Sequence, residues 1–164
     1  MEAIALGILT GIFILTMIVV GKGPSHALDF LAKKSFLFGF LLAFVSMIAS
    51  LVYSNYIGYP PCELCWLART LFYPQIILFA IAIAKRDRSV IDYALGLSLL
   101  GLVLTIYHYL VELGVTPEPF CSATGVSCAA RFVYEYGFVT IPFMGIVLFA
   151  ALSVLMLNAK YRLK

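Results

Sequence analysis

Residues 60–88 read "PPCELCWLARTLFYPQIILFAIAIAKRDR". Two cysteines open the stretch, a basic cluster closes it, and between them runs the mostly apolar segment Trp66–Ala84. A helix needs roughly 20 mostly apolar residues to cross about 30 Å of hydrocarbon, where backbone groups must find their partners within the segment itself. The segment therefore reads as a membrane span. Four more stretches share its character: Ala3–Val20, Phe36–Ile57, Val90–Val111 and Phe138–Asn158. Of the 164 residues 63% are hydrophobic and only 12% charged, and mean hydropathy is +1.06, which leaves almost no material for a soluble domain.

The expected fold is thus an all-α integral membrane protein. A four-helix transmembrane bundle occupies 35–164, with outer loops at 58–65 and 112–137. It is preceded by an additional N-terminal transmembrane helix over 1–21 and a cytoplasmic linker over 22–34, part of it a short amphipathic helix beginning near Ser25. The first stretch is read as a span and not as a signal peptide, because Glu2 stands where a basic n-region belongs and "MIVVGKG" offers no small-x-small cleavage site. His26 reads as a solvated linker residue.

Charge gives the orientation. Nine of the eleven Lys and Arg residues fall in three groups: Lys22, Lys33 and Lys34; Lys85, Arg86 and Arg88; Lys160, Arg162 and Lys164. Alternating spans put all three groups on one side, which the positive-inside rule makes the cytoplasm. The C-terminus is then cytoplasmic and the N-terminus extracytoplasmic. The net charge of +3 reports orientation and gives no reason to infer nucleic-acid binding. All four cysteines, Cys62, Cys65, Cys121 and Cys128, come to the outer side or its edge, where disulfides persist.

Local signals fill in the connections. "KRDRSVID" reads as a tight turn, with Ser89 and Asp92 forming a variant capping box that opens the next span. Pro74 sits inside a span, where membrane helices tolerate it. Pro142 falls in the first turn of the last span, where its missing N–H costs little. "RFVYEYGF" is expected to lie in the membrane interface.

Pro60 and Pro61 stop one span and deliver Cys62 to the first turn of the next, where the positive end of the helix dipole favours thiolate. A lone C-x-x-C pair is weak as a signal. Arg69 strengthens it, because it follows Cys65 by four residues and so shares its helix face, roughly 5–6 Å away at Cβ. Ionisable residues inside spans suggest function, although an arginine near a helix end can also snorkel to the headgroups. A disulfide made in so small a membrane protein must send two electrons somewhere. With no haem-attachment motif, nucleotide fingerprint or iron–sulfur spacing, the acceptor is expected to be a lipid-soluble quinone, whose developing oxyanion a guanidinium would stabilise. Cys121 and Cys128 read either as a structural bridge or as a shuttle that exchanges with a soluble partner. A zinc site built from all four cysteines is disfavoured by the C-x6-C spacing, and no metal is expected.

"PCELCWLARTLFYP", "HYLVE", "CSATGVSC" and "YGFVTIPF", in that order, resemble the disulfide bond formation protein B (DsbB) family, most closely its BdbC-type branch. The resemblance covers about residues 34–158. It implies a four-helix membrane enzyme that reoxidises a DsbA-like, thioredoxin-fold thiol oxidase and passes electrons to quinone, either ubiquinone or menaquinone. Cys62 and Cys65 then become the quinone-proximal pair with Cys65 nearest the ring, Arg69 the quinone-contacting arginine, and Cys121 and Cys128 the partner-facing pair, with Cys121 forming the mixed disulfide. Ala68 departs from the family's usual glutamine at that position. The N-terminal span lies outside the pattern.

Four further residues stand out, and all but Arg131 have two readings. His108 and Glu112, four apart, form either an interfacial polar pair at a helix end or a quinone-site histidine with its neighbour. Trp66 is an interfacial anchor or lies against a bound ring. Arg131 is a loop cation meeting headgroups. At the level of the whole protein, the alternatives are a non-catalytic membrane scaffold stapled by disulfides, or a related oxidoreductase working in the reductive direction.

Overall fold

A computed structural model of the chain describes residues 25–117, 126–133 and 138–163. The proposed span over Ala3–Val20 and residue Cys121 lie outside the described residues. Among the described residues there are five α-helices: α1 (Ser25–Lys33), α2 (Ser35–Leu51), α3 (Glu63–Lys85), α4 (Val90–Glu112) and α5 (Ile141–Arg162). Among the described residues four helical segments are long and apolar enough to cross a membrane: Ser35–Tyr56, Glu63–Lys85, Val90–Glu112 and Ile141–Arg162. The protein is a multi-pass membrane protein built on a four-helix bundle.

The expected spans differ from these mainly at their ends, for local reasons. The last helix starts at Ile141, three residues later than hydropathy alone suggests. There Thr140 adopts an extended backbone, its Oγ1 accepts the Phe143 N–H at 3.5 Å, and Pro142 occupies the first turn. The Ser35–Tyr56 segment ends in a π-helical turn, Val52–Tyr56, beyond which the Ile57 N–H reaches back five residues to the Val52 carbonyl at 3.0 Å. Such turns push side chains off the regular helical face and recur at functional sites.

The turn between α3 and α4 corrects one expectation. Ser89, whose backbone is already helical (φ −59°, ψ −25°), makes no side-chain cap bond to the α4 amides. Instead the Asp87 carboxylate accepts the Ser89 N–H at 2.9 Å, and Asp92 pairs with Lys160 of α5 at 2.8 Å. Arg86 ends α3 in the left-handed region at φ 54°. At this same basic end α1 is tied to the end of α5. Asn158 Nδ2 donates to the Leu28 carbonyl at 3.2 Å, and Arg162 pairs with Asp29.

The helices approach closely where glycines face aromatic rings. The Phe79 ring of α3 lies over Gly39 of α2, and the Phe149 ring of α5 lies over Gly101 of α4. Small residues permit this packing where lipid supplies no hydrophobic drive between helices. Phe79, Phe149, Leu152 and Met156 are fully buried, whereas Leu100 and Val103 of α4 point outward, as on a face that meets lipid. A polar bond joins α4 to α3 in the core: Ser98 Oγ donates to Gln75 Oε1 at 3.0 Å. α3 continues without a break through Pro74.

Candidate functional site

Gly58, at φ 86°, turns the chain after the π-helical turn, and Pro60–Pro61 carry it to Cys62, the extended residue that caps α3 (φ −72°, ψ 173°). One turn of helix then brings Cys65 alongside, with its Sγ 3.1 Å from that of Cys62, and both are free thiols. Cys62 is buried at 4% exposure, and Nε2 of His108 on α4 stands 3.6 Å from its sulfur. The sulfur–sulfur hydrogen bond, helped by His108, holds the Cys62 thiol well below the ordinary thiol range, although burial opposes the shift. Of the two thiols, Cys62 is therefore the one whose surroundings favour ionisation.

Arg69 lies one turn beyond Cys65 and does not snorkel; it is 8% exposed. Its Nε donates to Ser50 Oγ at 3.0 Å, and its Nη2 donates to the Ser50 carbonyl at 3.3 Å and to Ser54 Oγ at 3.1 Å. Ser50 lies in the last turn of α2 and Ser54 in the π-helical turn. The Trp66 ring covers the guanidinium on its other side, 5.0 Å from centroid to Cζ. Nη1 donates to none of the described residues.

Cys62, Cys65, Arg69, His108, Ser50 and Ser54 border one cavity of about 180 Å³ between the ends of α2, α3, α4 and α5. Its remaining wall is largely apolar, with Ala68, Phe72, Leu148 and Phe149 among the lining residues. Ser127, Cys128, Ala130 and Phe132 of the loop also border it. Cys128 is buried, disulfide-bonded, and packed in one apolar cluster with Cys62, Leu64 and Val111. Phe132 also lines the cavity and stacks on Tyr59 at 5.4 Å, so this part of "RFVYEYGF" packs against the cavity mouth.

Of the residues singled out in the sequence, Cys62, Cys65, Cys128, Arg69 and His108 therefore meet at one cavity. Trp66 does not line it; the ring is 53% exposed and covers Arg69 instead. Two expectations are corrected. His108 and Glu112 do not form an interfacial pair, because both turn inward and are 4% and 5% exposed. Arg131 does not reach out to headgroups. Its Nη2 donates to the Glu112 carbonyl at 3.0 Å and its Nε stands 3.6 Å from Glu112 Oε1, pinning the segment after Cys128 to the end of α4.

Ser50 and Ser54 were not foreseen. A signal existed: Ser46, Ser50 and Ser54 recur every fourth residue through a mostly apolar span, and all three line the cavity. Such a row puts hydroxyls on one helix face.

The fold and the site together define a multi-pass membrane helix bundle with a reactive cysteine pair at one end. Comparison with known proteins gives the particular family. The family described as "Disulfide bond formation protein DsbB" matches residues 32–159. The SPbeta prophage-derived disulfide bond formation protein B of Bacillus subtilis (strain 168) is 39% identical over 118 residues, covering 72% of this chain and 80% of that protein. A probable disulfide formation protein of Coxiella burnetii (strain CbuK_Q154) is 36% identical, covering 81% of this chain and 92% of that protein. Another, from Oceanobacillus iheyensis, is 38% identical, covering 76% and 87%. No solved structure matches the chain. The chain belongs to the DsbB family, whose membership implies disulfide-bond formation at a membrane and a thiol–disulfide exchange partner.

Proposed function

We propose that this protein is a thiol oxidase that reoxidises the dithiol of an extracytoplasmic, thioredoxin-fold oxidase of the DsbA type and delivers the two electrons to a membrane quinone. The observation that carries this reading is that a free dithiol, a disulfide-bonded cysteine and a buried guanidinium all border one small cavity.

The cavity suits a quinone headgroup. At about 180 Å³ it is smaller than the roughly 300–1,000 Å³ of sites for drug-sized ligands, which leaves room for a single ring between apolar walls. Arg69 lines that space with Nη1 uncommitted among the described residues, and three bonds to Ser50 and Ser54 fix the direction of its guanidinium. A bound quinone supplies a two-electron acceptor. Arg69 would hold a carbonyl oxygen and stabilise negative charge there, more strongly in a water-poor site than in water. Cys62 and Cys65 would each lose a proton and close into a disulfide. His108, against Cys62, is placed to take one of those protons.

In this reading the loop disulfide is attacked by the partner's thiolate, and the loop thiolate that leaves attacks the disulfide of the first pair, so each exchange breaks one S–S bond as it forms another. A reduced Cys62–Cys65 pair beneath an oxidised Cys128 is the state left once the loop has passed its electrons inward. The cysteine end of the bundle lies on the extracytoplasmic side, because Lys85, Arg86, Arg88, Lys160 and Arg162 gather at the other. The test supplies purified protein with reduced thioredoxin-fold oxidase and a quinone and follows the loss of partner thiols together with quinone reduction. Both should proceed in step, and Cys65→Ser should stop both. Undiminished turnover in that variant would refute the assignment.

A further inference from the structure

Cys62 Sγ, Cys65 Sγ and a ring nitrogen of His108 all lie within 4.8 Å of one another. We infer that the reduced Cys62–Cys65 pair and His108 form a redox-gated binding site for a thiophilic, tetrahedral divalent cation of the zinc class, whose occupancy blocks disulfide formation at the pair.

The distances suit such an ion. With Zn–S near 2.3 Å and Zn–N near 2.0–2.1 Å, tetrahedral angles put sulfur and nitrogen about 3.5 Å apart and two sulfurs about 3.8 Å apart. The Cys62–His108 separation is 3.6 Å, already close to that value. The sulfurs are 3.1 Å apart and need to open by several tenths of an ångström. Cys65 is only partly buried, so its side chain has room to make that change.

Charge and chemistry agree with the distances. Two thiolates and a neutral imidazole are ligands that zinc-class ions favour over magnesium or calcium. Binding releases the two thiol protons to solvent, and two thiolates cancel the charge of one divalent ion. The complex is then neutral overall, which a mostly apolar cavity tolerates better than an added cation. Three protein ligands leave the fourth position toward the cavity, open to water. A disulfide between Cys62 and Cys65 removes both thiolates, so the site exists only in the reduced protein. The same sulfur lone pairs cannot hold the ion and form the disulfide, so the ion acts as a reversible block.

This inference rests on free thiols and geometry and not on the thiol-oxidase reading, and its test needs neither quinone nor partner. Full-length protein carrying Cys121→Ser and Cys128→Ser, so that the loop offers no thiolate, is reduced anaerobically and titrated with Co²⁺. The expected result is thiolate-to-cobalt charge transfer with the intense visible bands of a tetrahedral site, saturating stoichiometrically and bleached by Zn²⁺. Closing the Cys62–Cys65 disulfide beforehand should abolish the signal. His108→Ala should weaken binding by more than roughly tenfold, the scale on which loss of even an outer-shell partner acts. Helix content and thermal unfolding of His108→Ala are followed in parallel, with His108→Gln as a second variant should the alanine form unfold. Absence of the tetrahedral spectrum, its persistence in the oxidised protein, or unchanged affinity in a folded His108 variant would each overturn the proposal. A protein that binds cobalt in this way but oxidises no thiols would refute the function proposed above and leave this site standing.

Discussion

Nε2 of His108 stands 3.6 Å from the sulfur of Cys62, so a residue near the end of α4 reaches the thiol that caps α3. The Cys65 hydrogen bond and this histidine favour the Cys62 thiolate over the thiol, and burial is the opposing effect. Reactivity follows the thiolate. In reduced, metal-free protein, alkylation of Cys62 should reach half its maximal rate at a pH well below the ~8.5 of an ordinary thiol. His108→Ala should move that midpoint upward. The linked effect on stability has a definite sign, because a lowered folded-state pKa stabilises the fold above the unfolded pKa and loses that contribution as pH falls toward the lowered value. Compared with Cys62→Ala, the reduced wild type should therefore lose advantage on acidification. A wild-type alkylation midpoint at the ordinary thiol value would contradict this account.

Arg69 is held by a fork that lysine lacks. Nε and Nη2 divide three bonds between Ser50 and Ser54, and Nη1 donates to none of the described residues. Arg69→Lys keeps the charge but loses the fixed direction. Hydrogen bonds to charged groups contribute about 1.5–3 kcal/mol, so the KM for quinone should rise roughly tenfold or more. The KM for the thiol partner should not change. Steady-state kinetics with each substrate varied in turn separates the two, and a shift in the partner's KM alone would show that Arg69 acts elsewhere.

Packing gives a prediction independent of chemistry. A Cβ on Gly101 would lie 2.2 Å from the Phe149 ring, whereas one on Gly96, also on α4, meets nothing within 4 Å. Gly101→Ala should therefore cost about 1–3 kcal/mol by overpacking the α4–α5 interface. Gly96→Ala should be neutral or stabilise by up to about 1 kcal/mol through helix propensity. Thermal unfolding of the two variants in the same detergent gives the comparison.

Why were the spans and the cysteine pair legible in the sequence, when much of the site was not? Crossing a membrane demands a long apolar run, and Pro60–Pro61 and Pro142 punctuate the ends of two runs by removing backbone donors. C-x-x-C followed by Arg69 lies within two turns of one helix, so local periodicity places all three residues together. His108 and Arg131 reach their partners through tertiary packing, and both were first read by their nearness to a helix end or a loop. Burial at that end of the bundle depends on the loop that folds over it, which no local pattern encodes. Ser89 failed for a different reason. It has a capping residue's identity, but its backbone is helical and its side chain makes no cap bond, and the N–H that Asp92 would take in a capping box goes to Asp87 instead. The π-helical turn left no compositional mark, although the serine row running into it did.

Arg131 links the two cysteine pairs mechanically. It follows Cys128 by three residues and anchors that segment to Glu112, one turn beyond His108 on α4. Its side chain is 39% exposed, so the ion pair contributes at most about 1 kcal/mol to bundle stability. The effect of losing it should fall on positioning. In Arg131→Ala the loop disulfide should still be reduced by the partner at the wild-type rate, while transfer from the loop to Cys62–Cys65 slows severalfold. Glu112→Gln should be milder, because the stronger contact is to the Glu112 backbone carbonyl, which that substitution keeps. Rapid acid quench followed by alkylation and mass analysis counts the thiols at each pair through a single turnover. If loop-to-pair transfer in Arg131→Ala keeps its wild-type speed, the anchor plays no part in exchange and the loop holds its position through burial of Cys128 alone.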